Sequence, residues 1–205
     1  MDRIEKDEFT MSRIANITRN TFETQIKLTL AIDEQTSISV NTGIGYIDHM
    51  LTLFAKHGRF GLQVTVNGDL NVDSHHTTED IGIALGEAFT QALGNKSGIE
   101  RYGAQLIPMD ETLSRAVVDL SGRAYLVFQA ELAAPLLGSF ETEVVEDFWQ
   151  GFADQARANV HIEVLYGRNT HHKIESIFKA MGRAMRQAVT INPEIKGINS
   201  TKGVI

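Results

Sequence analysis

The chain has 205 residues, 42% of them hydrophobic, a formal net charge of -7 and no cysteine. It is long enough to bury a sizeable core, and its acidic balance argues against a nucleic-acid partner, which leaves a basic stripe. The missing thiols exclude a disulfide framework and a thiolate metal site, and the lack of a long apolar run or signal-like start points to a cytoplasmic protein with no membrane partner.

Residues 1–10 read as a loose charged tail. From Ser12 to Ile32 apolar residues alternate (Ile14, Ile17, Ile26, Leu28, Leu30), with a break at Asn20-Thr21 that predicts a hairpin of two strands. Ile38 and Val40 form a short third strand, and a helix over 46–56 carries Met50, Leu51 and Phe54 as its apolar stripe. A strand at 60–66, a turn at Asn67-Gly68-Asp69 and a helix over 77–93 closed by Gly94 complete a first half at 11–98. The second half, 99–192, repeats that order. Strands are predicted at 101–107, 113–120 and 123–130, then a loop with Pro135 and Gly138, a helix at 143–158, a strand at 160–166 and a helix at 172–189. Residues 193–205 form a small, polar C-terminal tail expected to bind substrate. Strands, helix, strand, helix, written twice, predict an integrated α+β domain with helices packed between two mixed sheets.

The repetition is visible residue by residue. Asp73-Ser74-His75-His76-Thr77-Thr78-Glu79 matches Asn169-Thr170-His171-His172-Lys173-Ile174-Glu175, and Ala84, Gly86, Ala88, Gln91 and Ala92 recur at the same spacing as Ala180, Gly182, Ala184, Gln187 and Ala188. With a two-residue gap, Phe54-Ala55 aligns with Phe152-Ala153, His49 with Asp147, and Gln63 with His161. On a helix the first His and the Glu of each copy share a face, while the second His points roughly 100° away, so one copy can serve two metals. Imidazole with carboxylate suits zinc, manganese, iron or nickel. A single His pair is ordinarily a surface or capping feature; two matching copies favour ligands.

Five segments together resemble one family. They are Gly43-Ile44-Gly45-Tyr46-Ile47-Asp48-His49-Met50-Leu51, the stretch from Asp73 to Asp80, Leu165-Tyr166-Gly167 leading into the second double His, Phe178-Lys179-Ala180, and Ser200-Thr201-Lys202-Gly203. In this order they are similar to the imidazoleglycerol-phosphate dehydratases of histidine biosynthesis. The resemblance implies dehydration of D-erythro-imidazole glycerol phosphate to imidazole acetol phosphate, two manganese ions (Mn2+) per site, and sites at subunit boundaries in a homo-oligomeric shell of twenty-four copies. Beside it, the spacing suggests a ligand partition: His75 and Glu79 on one metal, His171 and Glu175 on the other, with His76 and His172 crossing over. His49 joins the His171 and Glu175 metal, and Asp147 supplies the equivalent ligand of the other, where some family members carry His. His161 is the rival for that place, and by its strand position is expected to be a hydrogen-bonded structural histidine.

The chemistry needs an electron source in the substrate, which its own imidazole provides by expelling the neighbouring hydroxyl to give a diazafulvene-like species; loss of the next C–H gives an enol that ketonises. A separate acid/base must serve the hydroxyl and the proton. The resemblance assigns Glu23, whose repeat counterpart is Glu111 beside Asp110. It also assigns the phosphate to Arg101, Arg123, Lys179, Ser200, Thr201 and Lys202, with His57 near the ring or hydroxyls; His49, His75, Glu79 and His171 contact the substrate as well. Competing readings are a dinuclear metal phosphoesterase and a metal-storage shell.

Overall fold

The computed structural model describes residues 13–205; the expected tail at 1–10 and Ser12 lie outside the described residues. The first half runs β1 (Ile14–Asn20), β2 (Thr24–Ala31), β3 (Ile38–Asn41), α1 (Gly45–Gly58), β4 (Gly61–Gly68) and α2 (His75–Leu93). The second runs β5 (Tyr102–Met109), β6 (Thr112–Asp119), β7 (Tyr125–Gln129), β8 (Leu136–Leu137), β9 (Phe140–Glu141), α3 (Val144–Ala156), β10 (Asn159–Tyr166) and α4 (Thr170–Val189). The small β8–β9 hairpin occupies the stretch expected to be loop. None of the helices among the described residues is long and apolar enough to cross a membrane.

Each half builds one mixed sheet, in the orders β1-β2-β4-β3 and β5-β6-β10-β7. The alternating residues decide which face turns inward: Ile26, Leu28 and Leu30 are buried on β2 while Gln25 and Lys27 are exposed. β3 and β4 are parallel neighbours, as are β7 and β10, so each pair needs a crossover, supplied by α1 and α3. On β10, Val160 and Ile162 are buried, which turns His161 outward between Val117 and Val127. His161 is exposed and makes no side-chain hydrogen bond among the described residues. This corrects the expected hydrogen-bonded structural role.

The helices fill the space between the sheets. α2 packs on β1 and β2, α4 on β5 and β6, and the helix pairs then cross between the halves, α1 against α4 and α2 against α3. Glycine makes these crossings close. A Cβ at Gly182 of α4 would collide with the Phe54 carbonyl of α1, and one at its repeat counterpart Gly86 of α2 would collide with the Phe152 carbonyl of α3. Between them Phe54, Phe60, Phe89, Phe148, Trp149, Phe152 and Phe178 form a buried aromatic centre, with ring centroids 4.8 Å (Phe148 to Trp149) to 6.3 Å (Phe54 to Trp149) apart. Edge-on pairs of this kind each add about 0.5–1.5 kcal/mol beyond their burial.

The two helices that carry the double histidines start earlier than expected, at His75 and Thr170 instead of residues 77 and 172. α4 is capped by Asn169, whose Oδ1 accepts the His171 and His172 N–H groups at 2.9 and 3.3 Å, whereas the α2 N-cap, Ser74, makes no side-chain cap hydrogen bond and Asp73 Oδ1, one residue before it, accepts the His75 N–H at 2.8 Å. Both histidines of each pair lie inside the first turn.

Candidate metal and substrate site

At the crossing of α1 and α4, His49, His171 and Glu175 each offer a ligand atom within 4.8 Å of the others. Nε2 of His171 lies 3.2 Å and Nε2 of His49 3.7 Å from Glu175 Oε2. The other oxygen, Oε1, is 2.6 Å from the Lys179 ammonium one turn on. Burial pushes the Glu175 carboxyl upward, but the Lys179 hydrogen bond and charge and the two imidazoles outweigh it, so the group sits below its ordinary range. Two imidazole nitrogens and one carboxylate oxygen converging from two helices fit a divalent cation of the manganese-to-zinc group. Tyr46 walls this corner. Its ring stands edge-on to His171 at 5.2 Å, and its buried hydroxyl has no hydrogen-bond partner among the described residues.

The crossing of α2 and α3 repeats the corner with different residues. His75 Nδ1 is 3.8 Å from Asp147 Oδ2, so Asp147 stands where His49 stands in the first corner. Glu79, four residues along α2 from His75, forms no ion pair or side-chain hydrogen bond among the described residues. This corner is looser than the first. Glu79 is not drawn into a tight ligand group with the other two.

The second histidine of each pair points away from both corners and toward carboxylates. His76 Nδ1 lies 2.9 Å from Asp69 Oδ2, with Glu23 Oε1 3.8 Å from its Nε2. His172 Nδ1 lies 2.8 Å from Glu111 Oε2, with Asp110 Oδ2 3.9 Å from its Nε2. Glu23 sits on the β1–β2 hairpin, which Arg19 fastens to α2 through Asp80 at 2.8 Å, with Thr24 as a second donor to Asp80. The sequence reading gives Asp69 no role and Glu111 only that of repeat counterpart to Glu23. A turn aspartate six residues before a double His is the available signal.

The remaining candidates occupy a separate recess. Arg101, Arg123, Ser200, Thr201 and Lys202 line one cavity of about 420 Å³ where the C-terminal segment folds back on the second sheet. Arg101 is held there by Asp119 at 2.7 Å and the Asn199 carbonyl at 2.8 Å. Lys179 and His57 do not line it. His57 instead faces a recess of about 450 Å³ with Lys56, Arg59, Arg183 and Arg186, where burial and the Lys179 and Arg183 charges hold its imidazole below the usual range.

The family model described as imidazoleglycerol-phosphate dehydratase matches residues 42–185. The chain belongs to this family. An imidazoleglycerol-phosphate dehydratase from Leuconostoc mesenteroides subsp. mesenteroides is 84% identical over 95% of this chain and 100% of its own length. One from Lactiplantibacillus plantarum is 66% identical over 94% of this chain and 100% of its own. Among solved structures, the Staphylococcus aureus dehydratase superposes with a TM-score of 0.80 at 43% identity, covering 87% of this chain and 99% of that one. The chain is therefore a hydro-lyase of histidine biosynthesis, and the two mixed sheets around four helices are the dehydratase fold.

Proposed function

We propose that this dehydratase converts D-erythro-imidazole glycerol phosphate to imidazole acetol phosphate on two manganese ions. The observation that carries the reading is the repeated corner, His49 with His171 and Glu175 at one helix crossing and Asp147 with His75 at the other. His49, His171 and Glu175 would hold one ion and His75, Glu79 and Asp147 the other, while His76 and His172, which point away from both corners of their own chain, would complete the sites of neighbouring copies. Bound ions would orient the substrate imidazole and stabilise its anionic form.

The protein supplies the rest. Glu23, beside the His76 ring, takes the C–H proton and returns a proton to the departing hydroxyl. Arg101, Arg123, Ser200, Thr201 and Lys202 grip the phosphate, with guanidinium forks suited to its oxygens. Lys179 and His57 approach from the metal side. The phosphate recess and the His49 corner share no lining residue, which supports a site completed between copies of the chain in a cytoplasmic homo-oligomer.

The test is direct. Metal-free protein is reconstituted with Mn2+ and given imidazole glycerol phosphate, and ketone formation is followed beside phosphate release. Ketone with retained phosphate is the expected result; released inorganic phosphate would make the protein a phosphoesterase, and tight metal uptake without turnover a storage protein. Arg101→Ala and Arg123→Ala should each raise KM, since a charge-assisted contact is worth roughly 1.5–3 kcal/mol.

A further inference from the structure

The double histidines raise a question of geometry. An imidazole ligates a divalent ion through one unprotonated nitrogen, and which nitrogen is free depends on what holds the other. For His76 and His172 the structure answers on the Nδ1 side, where a carboxylate sits within hydrogen-bond distance of each ring, Asp69 at 2.9 Å and Glu111 at 2.8 Å. Carboxylate oxygens only accept, so each Nδ1 donates and Nε2 is the nitrogen left to bind an ion.

The backbone under Asp69 is fixed, its N–H donating to the Glu23 carbonyl at 3.0 Å, while its second oxygen, Oδ1, is buried with no hydrogen-bond partner among the described residues. Glu111 Oε1 accepts the backbone N–H groups of Arg168 and Asn169 at 3.0 and 2.8 Å, leaving Oε2 for His172. The carboxylates come from different places in the two halves. Asp69 follows β4 in the first, whereas Glu111 is on the β5–β6 turn of the second, and the residue after β10 that would correspond to Asp69 is Gly167. The ligand was duplicated; the partner that orients it was supplied twice, from two loops.

We infer that Asp69 and Glu111 are positioning residues that fix His76 and His172 in the Nδ1–H form and aim their Nε2 atoms at metal. The inference rests on the assignment of these two histidines as ligands. Each carboxylate acts through one histidine and hence on one of the two ions. Glu23 and Asp110, near the Nε2 atoms at 3.8 and 3.9 Å, do not share this role.

The test titrates purified, metal-free, full-length protein with Mn2+, reading free ion by its electron paramagnetic resonance signal and following thermal melting in parallel. Asp69→Ala should weaken one class of site about 10- to 100-fold and leave the other unchanged. Asp69→Asn, which can still accept from Nδ1 without a full charge, should fall between Ala and the native residue, a grading that a merely structural role would not give. Glu111→Gln should weaken the other class, and the double variant both. Because Glu111 also anchors the loop before α4, its melting temperature is read first, and the Asp69 series carries the decision if that variant unfolds. His76→Ala and His172→Ala separate the two readings. Unchanged Mn2+ binding in those variants would overturn the ligand assignment. Weakened binding there with native binding in folded Asp69→Ala would overturn the positioning role alone.

Discussion

The two helix-crossing corners of this dehydratase share a frame and differ in charge. At the first, His49 and His171 face a buried Glu175 whose second oxygen is neutralised by Lys179. At the second, His75 faces Asp147, Glu79 is unpaired among the described residues, and the position that repeats Lys179 is Ile83. One corner thus has one carboxylate and an ammonium, and the other has two carboxylates and no cation. The helix crossings and the double histidines recur in both halves, while the residue facing them changes from His49 to Asp147 and the surrounding charges diverge. A divalent ion is attracted more strongly to the second corner, whereas the first is shaped without an ion by its own ion pair.

The largest effect is expected from Glu23→Gln, which touches neither corner. It should lower kcat by roughly 10²- to 10⁴-fold while elemental analysis finds the native metal content. Native turnover would remove Glu23 from the reaction. Asp147 bears on the comparison itself. Asp147→Ala should cost one ion of the two, and Asp147→His, which gives the second corner the imidazole of the first, should keep it. Full manganese in Asp147→Ala would mean that the α2–α3 crossing is not a metal corner.

Lys179→Met strips the first corner of its cation. In metal-free protein it should lower stability by roughly 1.5–3 kcal/mol, the scale of a hydrogen bond to a charged group. The sign with pH follows from Glu175, whose folded value is lowered. Its contribution is present above the ordinary carboxylate range and is lost as the pH falls through the lowered folded value, so the variant should show a smaller loss of stability in acid. Denaturant melts of the metal-free proteins at several pH values decide this. The smallest effect is expected at His161→Ala, on the outer face of the second sheet, within about 0.5 kcal/mol and with no loss of metal. A loss of half the manganese there would shift the repeat alignment that pairs Asp147 with His49.

Much of this was legible before any coordinates. Alternation along 12–32 and the twofold pattern of strands and helices suffice for the α+β class, because inward-facing residues recur every second position in a strand. The repeat spacing brings Asp147 opposite His49, and the structure sets them at equivalent helix crossings. Other features depend on distant pairings that spacing does not encode. That α1 crosses α4 and not α2 follows from Gly182 and Phe54, which no local pattern connects. Asp69 and Glu111 escape notice because they lie in turns of different shape, and the alternation that turns His161 away from Val160 and Ile162 does not say whether a hydrogen-bond partner reaches it.

The glycine contacts between the helix pairs also set an order of events. Phe54 and Gly182 meet across most of the chain, as do Phe152 and Gly86 across a shorter span. During synthesis the first half can form its sheet and pack Phe54 on Phe60 and Phe89, but α1 lacks its main helix partner until α4 emerges. Contacts so remote in sequence make for slow folding, and a nascent chain paused after residue 98 would be open to proteases and chaperones. Two halves made separately should each be unstable, yet able to assemble with one another when mixed.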